Sequence, residues 1–302
     1  MVLDADIVVE RRRLKRRLTL WRIAAVVAVV LAVIAAVGRF GGLYERAHVG
    51  RLSIEGIIVD DPQRDQALID VADDDDVRAL IVRIDSPGGT VVGGEALYHH
   101  LRRVAERKPV VAVMGEVATS AAYMTALAGD RIIAREGTIT GSIGVIMQTA
   151  DLTGLLDKIG VKPESVKSTP LKAQPNPLET FTPAAREAAR EVVLNLYEMF
   201  VGMVEERRRL GHDRTLALAD GRVFTGRQAV ANGLIDELGG EREARAWLDE
   251  VGDIDSTVPV RDVEVGRPEE RLRDLVGGLV GKAIFSERLR LDGLISLWQP
   301  EL

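Results

Sequence analysis

The stretch Ala79-Leu80-Ile81-Val82-Arg83-Ile84-Asp85-Ser86-Pro87-Gly88-Gly89-Thr90 decides the fold of this chain. Its first six residues are mostly apolar, with β-branched residues among them, and so read as a buried strand. Pro87 then pre-sets a turn, and Gly88 and Gly89 leave the backbone bare above the strand's end. Val91 to Arg107 follows with helical spacing. Ligands in open α/β sheets sit outside the carboxyl ends of strands, and bare amides at such a place can hold a developing oxyanion. A plain turn is the simpler reading of Ser-Pro-Gly-Gly taken alone. The loop matches neither a dinucleotide fingerprint nor a Walker loop.

Working outward, the same alternation recurs on both sides. Arg51 to Val59 reads as a strand and Pro62 to Asp73 as a helix. Val110 to Val113 is a strand, Ser120 to Leu127 a helix, Arg131 to Ile133 a strand, and Thr138 to Met147 a glycine-rich strand region. Lys162 to Val166 reads as a further strand. Pro183 at the first position begins a long helix reaching about Leu210. Val258 to Val265 alternates like a strand, and residues 272 to 284 keep helical spacing. Alternation of this kind predicts an α/β fold with a central sheet. The expected organisation is a basic segment over 1–17, an anchor over 18–37, a linker over 38–50, a catalytic domain over 51–252 and an extension over 253–302.

Two residues outside the turn carry candidate chemistry. Ser120 stands among small residues, Ala118-Thr119-Ser120-Ala121-Ala122, at the start of a helix, where Ser120 or Thr119 by itself reads as an N-cap, a role compatible with that of a nucleophile open to a substrate backbone. A serine hydroxyl needs a base at neutral pH. None of the four histidines, His48, His99, His100 and His212, has a convincing catalytic setting. Lys172 lies in an irregular run, Thr169-Pro170-Leu171-Lys172-Ala173-Gln174-Pro175, and by itself reads as a surface lysine. The chain holds only seven lysines against thirty-three arginines. Where arginine meets every plain need for positive charge, a retained lysine invites a search for proton chemistry that arginine cannot do.

Composition bounds the rest. Aromatic residues make up 4% of the chain, too few for base-stacking platforms, so nucleic acid is not an expected partner. There is no cysteine, which removes thiol catalysis and cysteine metal sites, and the scattered histidines predict no metal centre and no cofactor. Residues 1–50 hold nine Lys or Arg against four Asp or Glu, whereas the whole chain carries a net charge of -6. The apolar run Leu18 to Val37 is about 30 Å long as a helix, enough to span a bilayer. Arg11, Arg12, Arg13, Lys15, Arg16 and Arg17 precede it. The positive-inside rule therefore places the N-terminus in the cytoplasm and the body outside, in a single-pass protein of the cell membrane. A cleaved signal peptide is the competing reading, with Ala35, Ala36 and Gly38 as a weak cleavage site.

Taken in order, Ser86-Pro87-Gly88-Gly89, the small-residue Ser120 segment, Thr140-Gly141-Ser142-Ile143-Gly144-Val145, Lys172, and Asp220-Gly221-Arg222-Val223-Phe224-Thr225-Gly226 resemble the signal peptide peptidase A family over about residues 50 to 250. The resemblance implies a Clp-protease and crotonase-like fold, a homo-oligomeric assembly, and cleavage of remnant signal peptides near the membrane. It also implies a serine endopeptidase with a Ser/Lys dyad. Ser120 would be the nucleophile, Lys172 the base, Ser142 the residue orienting the lysine amine, and the backbone amides of Gly89 and Ala121 the oxyanion hole. Two departures stand out: Ser120-Ala121-Ala122 where the family commonly has Ser-Gly-Gly, and Asp85 where it often has Asn. A crotonase-like acyl-thioester enzyme and a catalytically silent membrane scaffold are the alternatives, and neither needs the Ser120 and Lys172 pair.

Overall fold

The computed structural model describes the backbone of residues 3–40, 47–266 and 294–297, and the side chains of 15–33 and 47–266. The chain divides into two compact units, Met1–Arg46 and Ala47–Leu302. In the first, α1 (Leu3–Phe40) is one continuous helix of 38 residues. Leu20, Trp21, Ile23, Val26, Val29 and Leu31 are all exposed along it. Among the described residues no helix is long and apolar enough to cross a membrane. The transmembrane helix expected over Leu18 to Val37 is therefore not supported. The described side chains run from 15 to 33; they take in Lys15, Arg16 and Arg17 ahead of the apolar run and Arg22 within it, and the last part of the expected span lies outside them.

The second unit begins with β1 (His48–Glu55), α2 (Pro62–Asp73) and β2 (Val77–Ser86). Asp61 caps α2 by accepting from the amides of Gln63 and Arg64, and Pro62 fills the first helical position, where its missing N–H costs nothing. Next come β3 (Gly88–Thr90), α3 (Val91–Ala105), β4 (Val110–Thr119) and α4 (Ala121–Ala126). They are followed by β5 (Arg131–Ala134), β6 (Ile139–Gly141), β7 (Ile146–Met147) and α5 (Thr153–Lys158). The long helix α6 (Pro183–Arg208), then α7 (His212–Leu218), β8 (Val223–Thr225) and α8 (Gly226–Asn232) lead to β9 (Glu237–Leu238), α9 (Glu241–Gly252) and β10 (Val260–Asp262). A last strand, β11, covers Leu294–Leu297.

The main sheet runs in the order β10-β1-β2-β4-β5-β9, with β6 on β4 and β8 on β6. Its long central pairs are parallel. Strand β2 shows why both faces must be covered. Leu80, Val82 and Ile84 enter one core with Leu68, Leu97, Leu101 and Tyr123, and Ala79 and Ile81 enter another with Ala244 and Leu248. All five of these β2 residues are at most 1% exposed, as expected of a parallel strand clad by helices on both sides. The α/β class expected from the alternation is thus present, with α2, α3 and α4 over one face and α9 over the other.

Strand β4 extends beyond the expected Val110 to Val113 and changes partners. Val111, Ala112 and Val113 pair with β5, whereas Val117, Ala118 and Thr119 pair with β6. Between them the register against β2 slips, from Ile84 opposite Met114 to Ser86 opposite Ala118. Asp85 holds the slip. Its Oδ1 accepts the Val117 amide at 3.1 Å, and an added Cβ at Gly115 would stand 2.9 Å from its Oδ2. An asparagine carbonyl could accept that same amide, so Asp85 preserves the acceptor that the backbone needs.

Lys162 to Val166, expected as a strand, is irregular and wholly exposed. Pro163 removes a ladder donor within it, and no pairing edge receives it. The helical spacing over 272–284 lies outside the described residues. The alternation over 258–265 does form a short strand, β10, whose Val260 pairs with Val49 of β1.

Candidate active site

The site is built where β2, β4 and β6 all end. Thr140 Oγ1 donates to Ala118 O at 2.7 Å, and the Ser120 amide donates to Gly141 O at 2.8 Å. With Thr119 opposite Gly141 in parallel register, Ser120 and Ser142 leave their strands as neighbours. The Ser142 amide is held in turn by Arg222 O at 2.8 Å, so the residue just before β8 fixes the second serine as the last residue of β6 fixes the first. Ser142 is 9% exposed and Ser120 1%.

Ser120 adopts φ 59° and ψ -121°, and its side chain makes no capping hydrogen bond. An N-cap serine has extended backbone and accepts an amide of the first turn, so the capping role left open by the sequence is not the one it fills. A positive φ at a residue with a Cβ costs of order 1–3 kcal/mol and persists only where its surroundings over-determine it. Here they do. All six residues of α4 are buried, and α3 approaches so closely that an added Cβ at Gly94 would lie 3.0 Å from the Ala121 Cβ. A sharp turn from strand to helix that presents a serine is the geometry of a nucleophile elbow. Ser142, with φ 51°, and Gly141, with φ 85°, form a second turn of left-handed sense beside it.

The expected oxyanion loop lies against this turn. Thr119 Oγ1 donates to Pro87 O at 3.0 Å, and Ser86 Oγ accepts the Gly88 amide at 3.1 Å. Gly89 cannot be any other residue without movement of the chain, because an added Cβ would stand 1.8 Å from Ile58 O and 2.6 Å from Ile58 N. The backbone of Ile58 clamps this strand from one side. Ile58 N donates to Gly88 O at 2.9 Å and Thr90 N donates to Ile58 O at 2.8 Å.

Behind α4 a polar anchor fixes the elbow. Tyr123 is fully buried, and its hydroxyl donates to Leu234 O at 2.8 Å. Burial pushes the phenol well above its usual range, so it remains a neutral donor. Arg208 of α6 places its fork on Asp236 at 2.7 and 3.1 Å and donates from Nε to Gly233 O at 2.8 Å. Asp236 Oδ2 also accepts the Ile132 amide at 2.7 Å. Tyr123, Arg208 and Asp236 were not singled out from the sequence, and Asp85 was noted only as a departure from the family pattern. Each acts through contacts distant along the chain, which no local pattern carries.

Lys172 is placed differently from the two serines. It is exposed, on a turn in which its amide donates to Thr169 O at 3.1 Å. None of the described residues between Met147 and Phe181 is buried, and Leu155, Ile159, Val161, Leu171 and Leu178 are exposed apolar side chains along this stretch. The structure thus brings Ser120, Ser142, Gly89 and Ala121 into one neighbourhood and leaves Lys172 on a segment standing off the core.

A buried serine on a left-handed turn beside bare glycine amides is an arrangement that an α/β serine hydrolase can use. The chain belongs to peptidase family S49, whose model matches residues 102–255, and it is accordingly a serine-type protease. A protease of Synechocystis is 38% identical over 200 residues, which cover 66% of this chain and 72% of that protein. The chloroplastic serine protease SPPA of Arabidopsis thaliana is 33% identical over 86% of this chain, which spans 38% of that longer protein. Among solved structures, a Clp protease subunit of Listeria monocytogenes aligns with 68% of this chain and 97% of its own length, at 15% identity and a TM-score of 0.44.

Proposed function

We propose that this chain is a membrane-anchored endopeptidase in which Ser120 attacks the peptide carbonyl and Lys172 takes its proton. The observation that carries the reading is the backbone of Ser120, strained at φ 59° with no capping bond to justify it. Attack forms the acyl bond to Ser120 Oγ while the amide amine leaves with the proton carried by Lys172. Water, deprotonated by the same amine, then releases the acid. The amides of Gly89 and Ala121 receive the oxyanion, and the Ser142 hydroxyl orients the lysine amine. Substrates are apolar extended peptides close to a bilayer, remnant signal peptides being the class that the family suggests. The anchor rests on the exposed apolar residues of α1, Leu20 to Val33, with the basic segment on the cytoplasmic side and the protease body outside.

A base must lie within hydrogen-bond reach of the nucleophile, about 3 Å or through one water. The exposure of Lys172 on its apolar segment, set against the burial of Ser120, favours a homo-oligomer in which one copy's lysine serves a neighbour's serine. Mixing Ser120→Ala protein with Lys172→Ala protein tests this. Each is inactive alone, and the mixture is expected to recover about a quarter of wild-type peptide hydrolysis when equal amounts exchange freely. A mixture as inactive as its parts, in subunits shown to exchange, refutes the shared dyad. Activity retained by either variant alone refutes the dyad altogether.

A further inference from the structure

The segment that carries Lys172 has no buried residue, yet its side chains are ordered about one carboxylate. Glu179 accepts from three of them: the Ser165 hydroxyl, the Lys167 ammonium and Gln174 Nε2, the last at 2.6 Å. Lys167 and Glu179 form an ion pair whose side chains are 15% and 29% exposed. Ser165 and Lys167 precede Lys172 in the chain, and Gln174 and Glu179 follow it. This polar hub therefore closes residues 165–179 into a loop with Lys172 near its apex.

The backbone inside the loop is folded on itself. The Lys172 amide donates to Thr169 O at 3.1 Å and the Gln174 amide to Leu171 O at 3.2 Å. Asn176 Nδ2 donates to Ala173 O at 2.8 Å, and Asn176 Oδ1 accepts the Leu178 amide at 3.0 Å. Leu152 N donates to Pro177 O at 3.0 Å, which ties the loop to the start of α5. Every partner in this set lies between residues 152 and 179, so the shape of the loop comes from its own polar bonds and not from the core. A lone exposed ion pair contributes little. A carboxylate with three donors differs, because each bond fixes a separate part of the chain. The hydrogen bond from Lys167, then that from Ser165, holds the Glu179 carboxyl below its usual range, so the hub stays charged wherever a lysine base can work.

The hub also divides two lysines that lie five positions apart. Lys167 is held as a cation and has no lone pair with which to take a proton. Lys172 makes no ion pair with a described residue. We infer that Glu179 is the positioning residue of the base: it keeps Lys167 as a structural cation and pre-shapes the loop that presents Lys172 to a serine. The inference rests on the reading of Lys172 as base. In the homo-oligomer the neighbouring copy decides where the loop docks, and Glu179 decides the shape in which it arrives. A loop ordered only on docking would lose conformational entropy each time, and a catalytic group misplaced by about 1 Å loses about 10²-fold in rate.

The test uses Glu179→Gln, which keeps the size of the side chain and one acceptor but removes the charge. In the full chain, kcat for an apolar peptide is expected to fall about ten- to hundredfold with KM and the thermal midpoint unchanged. Lys167→Met should show the same loss. Lys167→Arg should recover most of it, whereas Lys172→Arg should stay as inactive as Lys172→Ala, because arginine replaces a charge but not a base. Unchanged kcat in Glu179→Gln overturns the inference, and so does a loss that comes with a lower thermal midpoint, which marks a structural role.

The mixture of Ser120→Ala with Lys172→Ala protein then locates the effect. Glu179→Gln is added first to the Ser120→Ala chain, which supplies the lysine, and separately to the Lys172→Ala chain, which supplies the serine. Recovered hydrolysis should fall about tenfold or more in the first case and stay as it was in the second. Equal losses overturn the positioning role, because a damaged fold would act from either chain. A parent mixture that recovers nothing refutes the shared dyad and leaves the kcat of the single variants to decide on Glu179. Activity retained by Lys172→Ala alone refutes the base, and Glu179 as its positioning residue with it. An enzyme that needs Lys172 but is indifferent to Glu179→Gln refutes this inference alone.

Discussion

Ser120→Ala is expected to reduce peptide hydrolysis by about 10⁴-fold or more, the loss seen when a covalent nucleophile is removed from a hydrolase. Stability should change little, within about 1 kcal/mol. The hydroxyl makes no capping bond that the replacement would break, and alanine fits the same buried space. Ser120→Gly separates catalysis from strain. It abolishes activity as completely but relieves a φ of 59° that only glycine adopts freely. The glycine variant is therefore expected to be more stable than Ser120→Ala, by up to about 1 kcal/mol once the greater freedom of its unfolded chain is offset. Urea denaturation of the two variants alongside peptide assays checks both halves. A serine that merely capped α4 would show the opposite pattern, with intact hydrolysis and a stability loss of about 1 kcal/mol on replacement by alanine.

The second large effect is expected at Gly89. An added methyl there would lie 1.8 Å from Ile58 O and 2.5 Å from Ile58 C, and both are backbone atoms that no rotamer change can move aside. Gly89→Ala must push β3 away from Ile58 and break the two hydrogen bonds that clamp it. Two buried backbone bonds lost, with the strain of the displacement, correspond to about 2–4 kcal/mol. The same shift withdraws the Gly89 amide from the oxyanion position, and loss of one such donor costs about 10²–10³ in kcat. Gly144→Ala is the control. Its added methyl would meet nothing nearer than Gly221 Cα at 3.7 Å, so stability and activity should both stay close to wild type. Thermal melts and steady-state rates on these two variants would distinguish a specific steric requirement at Gly89 from general intolerance of glycine loops.

The legible parts of this chain are those in which local chemistry and tertiary position agree. The strand from Ala79 to Ile84 is apolar because helices cover both of its faces, and the turn after it announces itself through Pro87 and two glycines. Pro62 and Pro183 marked the starts of α2 and α6 for the same reason: each sits where a missing N–H is harmless. Strand β4 was longer than its sequence implied, since Gly115 and Glu116 interrupt the apolar pattern. The residue that carries the chain across the gap, Asp85, lies thirty-two positions from its partner Val117. Lys162 to Val166 illustrates the reverse. A short run with strand-like composition stays irregular without a neighbour to supply hydrogen bonds.

The site divides along the same line. The neighbourhood of Ser120, Ser142 and Gly89 follows from ordered motifs that fall at the ends of adjacent strands. That Ser120 does not cap α4 shows in its backbone angles, which no residue pattern encodes. Lys172 lies on an exposed segment that carries apolar side chains without a core beneath them, and in the proposed homo-oligomer the place of its amine would be set by the neighbouring copy. Strand β11 was equally hidden, because it is four residues long and lies about two hundred positions from β3, one of the two strands that it pairs with.

Acylation of Ser120 is the central expectation for this chain. Treating the full chain with a serine-directed phosphonate carrying an apolar peptide, then digesting it and locating the added mass, measures this without reference to any natural substrate. One adduct per chain, on Ser120, formed slowly or not at all in Lys172→Ala protein, is the predicted result. An adduct on another residue, or undiminished labelling and peptide cleavage in Ser120→Ala protein, would contradict it.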